Sequence, residues 1–253
     1  MISARINFGA RRNPAVQAQR RKRGEGNAAW IGRAVESLKV RQAVILLGGS
    51  DLIHFRLRVA QSQTRSDLLP SFWSHAALFN ADVAAARRLI HVPPVPPLAG
   101  AAEVPRFNAI TEAPLTAFDA ADDFPNVAVL SFPTQEGSSP AAEAQKLKHA
   151  RLAQDLVSPL VKWLGYVWGA AGSSNPLLDG HGAPSAVMLE AAFGACGVDL
   201  TPGVAERAVC PEAFWQAATW WREYYEPAPS KGRTSVAPAG RFVLDQEEAA
   251  VRQ

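Results

Sequence analysis

Two histidines and one serine are the residues whose types and spacing suggest chemistry in this sequence. His75 and His91 each lie in a short apolar run typical of a strand, and Ser185 lies where a loop meets a predicted helix. If the two runs pair as antiparallel neighbours, alternation of side chains can place both imidazoles on one face. An imidazole oriented by a second polar group can serve as general base for a nucleophile. Ser185, His75 and His91 are therefore our candidate catalytic residues.

The elements that must position these residues can be read from the apolar spacing. The pattern predicts strands at 43–47, 51–58, 74–79, 88–92 and 126–132. It predicts helices that begin near Asn27, Pro140, Ala186 and Pro211. We expect an α+β fold, in which a small antiparallel β-sheet or barrel packs against helices.

Basic charge is concentrated at the N-terminus of the chain. Residues 1–50 contain ten Lys or Arg and two Glu, although the net charge of the whole chain is only +3. Residues 1–26 lack apolar periodicity, so we expect a disordered basic tail that can contact anionic surfaces such as nucleic acid or lipid. The folded domain is then expected over 27–226, and the Pro-rich and Gly-rich segment at 227–253 reads as a linker or C-terminal tail.

The composition disfavours several classes of protein. The two cysteines, Cys196 and Cys210, do not form a CxxC motif and are too few for a disulfide framework. We find no apolar run near the roughly 18 residues of a membrane span, and no apolar core of a signal peptide. We therefore expect a cytoplasmic protein, with export by a non-standard route as the alternative. The histidines lack the carboxylate spacing of a metal site, and no cofactor is expected.

The order of the motifs resembles the circularly permuted NlpC-type papain-like superfamily, which includes YaeF/YiiX-like and lecithin:retinol acyltransferase-like proteins. The segment 50–53 (SDLI) is similar to the first GDLI-type strand of that family, and 74–79 (SHAALF) to its histidine strand. The segment 89–93 (LIHVP) is similar to the strand with a second histidine, and 184–189 (PSAVML) to the helix start that carries the nucleophilic cysteine. The resemblance covers about residues 43–203 and implies a permuted papain-like fold.

The nucleophile position differs from the family pattern, because no cysteine occurs there. In one register Ser185 replaces the cysteine; in the other, shifted by one residue, Pro184 does and no nucleophile remains. A serine at this position needs His75 as general base, with His91 orienting the ring. The resemblance implies a hydrolase or acyltransferase that acts on a peptidoglycan peptide or lipid, through an acyl-enzyme at an amide or ester. The alternative is a catalytically inactive pseudoenzyme that serves as a binding module.

The remaining histidines are weaker candidates. His181 precedes Ser185 by four residues and fits an exposed loop at the mouth of a pocket. His54 falls in the strand predicted over 51–58, where its side chain can face either side. His149 lies on a charged face of a predicted helix, which favours a solvated position. The sequence leaves the oligomeric state open.

Overall fold

A seven-stranded sheet forms the centre of the protein. The computed structural model describes residues 16–81, 88–94, 109–149, 157–205, 208–220 and 238–245. The strands are β1 (Val16–Ala18), β2 (Gln42–Gly48), β3 (His75–Asn80), β4 (Arg88–His91), β5 (Thr111–Pro114), β6 (Asn126–Ser131) and β7 (Ala239–Leu244). Their order in the sheet is β1-β7-β6-β2-β3-β4-β5. Only the β1–β7 pair is parallel among these neighbours, so the α+β fold contains a mixed sheet.

Helices cover both faces of the sheet. In the described ranges they are α1 (Asn27–Leu38), α2 (Leu52–Ala60), α3 (Pro140–His149), α4 (Val157–Trp168), α5 (Pro184–Gly194) and α6 (Pro211–Trp220), with 3-10 turns at Ser62–Thr64 and Leu115–Phe118. Helix α1 packs its apolar stripe on one face of the sheet, and α5 packs on the other. None of the helices described has the length and apolar character needed to cross a membrane.

Strand β2 lies at the centre because its side chains are apolar on both faces. Ala43, Ile45 and Leu47 pack towards α1, whereas Val44 and Leu46 pack towards α5. Such a continuous apolar run is expected of a strand covered on both sides.

Gly48 ends this strand under a close backbone contact. A Cβ atom at this position would lie 1.9 Å from the carbonyl oxygen of Phe72. Only glycine lets the end of β2 approach the segment that leads into β3, and hence into the histidine strand.

Most of the predicted elements are confirmed. Strands predicted at 43–47, 74–79, 88–92 and 126–132 correspond to β2, β3, β4 and β6. Helices predicted to begin near Asn27, Pro140, Ala186 and Pro211 correspond to α1, α3, α5 and α6.

The strand predicted over 51–58 is wrong, because this segment forms α2. The Asp51 side chain accepts a hydrogen bond from the backbone N–H of His54 at 2.7 Å and caps the helix. Ile53, Leu57 and Ala60 then face one apolar cluster at helical spacing. The cap and this spacing outweigh the strand preference of the β-branched and aromatic residues. The SDLI segment therefore begins a helix, and the GDLI-like strand expected from the resemblance is not formed there.

The division into two tails and a central domain also needs correction. Residues 16–26 of the expected N-terminal tail are part of the fold, since β1 pairs with β7 and Val16 is buried. Strand β7 itself comes from the expected C-terminal tail at 227–253, with Phe242 and Val243 buried on opposite faces. Within these two tails, residues 1–15, 227–237 and 246–253 lie outside the described residues.

Candidate functional site

His75 and His91 lie side by side on neighbouring strands, which confirms that part of the prediction. The Nε2 atom of His75 is 2.9 Å from Nδ1 of His91, and the ring centroids are 5.0 Å apart. The β3–β4 register pairs Leu78 with Ile90, so His91 lies diagonally across from His75 on the same face. One imidazole must donate and the other accept, which couples the tautomers of the two rings.

The histidine pair is buried against Phe118. The Phe118 ring centroid lies 6.3 Å from that of His75 and 5.5 Å from that of His91. Burial, reinforced by the nearby His91 and His54, holds the pKa of His75 well below its usual value. Burial lowers the pKa of His91 to about 4. Both rings are consequently neutral at pH 7.

Ser185 lies at the N-terminus of α5, as expected. Pro184 occupies the first helical turn, where its missing N–H costs nothing, and Ser185 follows it. The Ser185 Oγ donates a hydrogen bond to the carbonyl of Ala76 and accepts one from the Val92 N–H at 3.3 Å. The hydroxyl therefore ties α5 to β3 and to the end of β4, and its proton is held by a backbone carbonyl.

The serine and the histidine rings are directed from opposite faces of the sheet. Ala76 packs with the α5 side, whereas Ala77 packs with the α1 side. Because strand side chains alternate, His75 shares the face of Ala77, which agrees with its contact to Phe118. Within the described ranges, Ser185 has no hydrogen bond to either imidazole. The structure thus unites the histidine pair but does not form the expected bond between Ser185 and His75.

A small pocket lies where α5 begins. Its volume is about 30 Å³, room for one or two water molecules. Leu57, Leu160 and Trp163 supply apolar walls, and Ser74, His75 and Ser185 also border the pocket, with the His75 ring itself packed against Phe118 on the other face of the sheet. The Trp163 indole N–H donates to the carbonyl of Gly182 at 2.9 Å, which fixes α4 against the segment before α5.

The other candidates from the sequence do not join this pocket. Cys196 and Cys210 are buried free thiols, and burial raises the pKa of Cys210 to about 12, so its thiolate is disfavoured. The Nε2 of His181 is 2.5 Å from Nζ of Lys162, near the loop before α5. The His149 side chain lies outside the described residues. No group of three metal-ligating side chains occurs in the described part of the chain.

Sequence reasoning missed the surroundings of His54. This residue lies in the first turn of α2, and its Nδ1 is 2.9 Å from Oγ of Ser74. The available signal was an aspartate three residues before the histidine, followed by apolar residues at helical spacing, which is a helix N-terminus pattern.

Sequence reasoning also missed a buried carboxyl group on α5. Glu190 accepts hydrogen bonds from the Leu200 N–H at 2.9 Å and from the Thr201 hydroxyl at 3.0 Å. Burial raises the pKa of Glu190 to about 7. The carboxyl connects the helix that carries Ser185 to the segment that follows it.

We expect Glu190 to make the protein less stable as the pH rises. The pKa of Glu190 in the folded protein lies above the ordinary value of 4.5. The protonated carboxyl therefore contributes its full share to the free energy of unfolding below pH 4.5, and this share is lost as the pH rises through about 7. The loss is about 3 kcal/mol. Glu190→Gln should therefore reduce the decline of unfolding free energy between pH 5 and pH 8, measured by urea denaturation. Glu136→Gln, at an exposed position, is the matched control. Equal declines in both variants would contradict this prediction.

Comparison with known proteins gives no relative: no family model, no curated protein and no solved structure matches this chain. The resemblance to the permuted papain-like superfamily therefore rests on its short motifs alone.

Proposed function

We propose that this protein is a serine-type hydrolase or acyltransferase that forms an acyl-enzyme from an amide or ester. The observation that carries the proposal is a mostly apolar pocket that Ser74 and Ser185 both border, where the Ser74 hydroxyl lies 2.9 Å from a ring nitrogen of His54. Apolar pockets with a few convergent polar groups are the usual form of a small-molecule site.

The order of the elements supports a permuted papain-like arrangement. The histidine strands β3 and β4 come first, and α5, with Ser185 in its first turn, follows later in the chain. The start of α5 has no side-chain cap, so N–H groups of its first turn are available to a developing oxyanion. The small volume of the pocket favours a short acyl group over a long chain.

A binding module without catalysis is the second candidate. The observation in its favour is that Ser185 gives its proton to the Ala76 carbonyl, while the His75 ring packs on Phe118 on the other face. A hydroxyl without a base is a weak nucleophile. On this reading the pocket receives only a small group of a peptide or lipid and leaves the ligand intact.

Covalent labelling separates the two candidates without a known substrate. We expect a fluorophosphonate probe with a short alkyl group to label the folded protein at a serine, and heat-unfolded protein to remain unlabelled. We also expect hydrolysis of p-nitrophenyl acetate that is blocked by prior labelling. Absence of both reactions in a folded sample would contradict the enzyme and favour the binding module.

A further inference from the structure

Ser74 differs from Ser185 in that its hydroxyl contacts an imidazole. The Ser74 Oγ lies 2.9 Å from His54 Nδ1, accepts the Gly49 N–H at 3.0 Å, and is 3.1 Å from the carbonyl oxygen of Leu47. The hydroxyl has one proton and two possible acceptors, the shorter contact being to His54. Ser74 also borders the pocket.

The position of Asp51 decides between these acceptors. Its Oδ2 atom is 3.9 Å from His54 Nε2, too far for a hydrogen bond but close enough for a charge to act. A carboxylate beside Nε2 favours the tautomer with the proton on that nitrogen. Nδ1 then presents a lone pair, and the Ser74 hydroxyl lies at hydrogen-bond distance to donate its proton to it.

His54 is held in place for this role. Its ring packs edge-on against Phe124, at a centroid distance of 5.2 Å, and lies over Gly49. A Cβ atom at Gly49 would lie 2.4 Å from the ring, so glycine is needed for this approach. Burial, only partly opposed by Asp51, lowers the pKa of His54, which leaves the imidazole neutral at pH 7 and able to accept a proton.

We propose that Ser74 is the nucleophile of this pocket, with His54 as general base and Asp51 as a positioning residue that sets the tautomer. This inference rests on the proposed hydrolase or acyltransferase function and assigns its nucleophile. Ser185 then has a structural role, because its hydroxyl joins α5 to the backbone of β3.

The proposed reaction is a two-step acyl transfer. The Ser74 Oγ attacks the carbonyl carbon of the ester, and its proton passes to His54 Nδ1. The tetrahedral adduct collapses, the bond to the leaving oxygen breaks, and the alcohol departs with the proton from Nδ1. A water molecule then attacks the acyl-enzyme while Nδ1 accepts its proton. The free acid leaves, and Ser74 regains its hydroxyl proton.

The decisive experiment is to map the fluorophosphonate label in the wild-type chain by mass spectrometry. Trypsin separates the two serines, because Ser74 falls in residues 66–87 and Ser185 in residues 163–207. We expect the label on Ser74. Label on Ser185 would overturn this inference and leave the proposed function intact, whereas no label at all would contradict both.

Variants test the roles of the three residues. Ser74→Ala and His54→Gln should each lower the labelling rate at least about 100-fold. Ser66→Ala, an exposed serine on the same tryptic fragment, is the matched control and should label at the wild-type rate. Circular dichroism and thermal melting must show that each variant is folded. A folded Ser74→Ala variant that labels normally would overturn the assignment.

Asp51→Asn separates a positioning role from helix capping, because asparagine also caps helices well. Loss of the carboxylate charge should lower the pKa of His54, since Asp51 raises it. The acid limb of the labelling rate should therefore move to lower pH. His75 is also a titratable neighbour, because the charge of His54 lowers the pKa of His75. An acid limb at the wild-type pH would overturn the role assigned to Asp51.

Discussion

Removal of residues 1–26 is expected to abolish cooperative unfolding, because this segment contributes contacts on which the fold depends. Arg21 donates to the Asn27 side chain at 2.6 Å, to the Pro125 carbonyl at 2.6 Å and to Asp245 at 2.7 Å. The indole N–H of the buried Trp30 donates to the carbonyl of Gln19 at 3.0 Å. The truncated chain would leave the buried side chains of Asn27 and Trp30 without these partners and would also lose β1.

Arg21→Ala isolates the largest of these contributions. The Arg21 side chain is about 10% exposed, whereas the Asp245 side chain is 49% exposed, so the cost comes mainly from the oxygens of the buried Asn27 and the half-buried Pro125. We expect a loss of about 2–4 kcal/mol in the free energy of unfolding, measured by urea denaturation.

Two controls accompany these measurements. Arg23→Ala, an exposed cation two residues away, should cost less than about 0.5 kcal/mol. A chain that starts at Pro14 keeps β1 and should unfold cooperatively. If the chain that starts at Asn27 unfolds with wild-type stability, residues 16–26 do not support the fold.

Acid is expected to destabilise the protein strongly through the His75–His91 pair. Unfolded histidine titrates near pH 6.5, whereas the folded pKa is about 4 for His91 and well below 6.5 for His75. Below pH 6.5 the unfolded chain therefore binds more protons than the folded chain. The stability contributed by the neutral rings is complete above pH 6.5 and is lost as the pH falls towards 4. His91 alone accounts for about 3 kcal/mol.

The measurement is the melting temperature between pH 7 and pH 4.5. Glu190 titrates with the opposite sign over this range, so the comparison is best made in a Glu190→Gln background. His91→Gln retains a hydrogen-bonding group opposite His75 but does not titrate, and it should flatten the acid limb. A melting temperature of the Glu190→Gln variant that does not change down to pH 4.5 would contradict the expected cost of protonation.

The sequence predicts the centre of the fold better than its edges. Residues of β2, β3 and β6 form continuous apolar runs, and their pattern is strong because both faces are covered. Strand β1 has only three residues, of which Val16 alone is buried. So short a strand carries almost no periodic signal and exists only because β7 is there to pair with it.

The candidate site was also predicted only in part from the sequence. The sequence displays two strand patterns that contain His75 and His91. Because side chains alternate between the faces of a strand, the proximity of the two rings follows once these strands are neighbours. The acceptor chosen by Ser185 depends on how α5 docks over Ala76, a tertiary contact between residues far apart in the chain. For His54, strand-forming residues in the same segment concealed the helix signal from Asp51.

The parallel pairing of β1 with β7 has a consequence for synthesis on the ribosome. Strand β1 ends at Ala18, and its only strand partner in the described sheet begins at Ala239. At about 5–20 residues per second, the nascent chain holds β1 without a partner for about 10–45 s. During that time Val16 and the backbone of β1 remain open to chaperones or to other chains. The sheet is therefore completed late, by a step that joins the first described strand to the last.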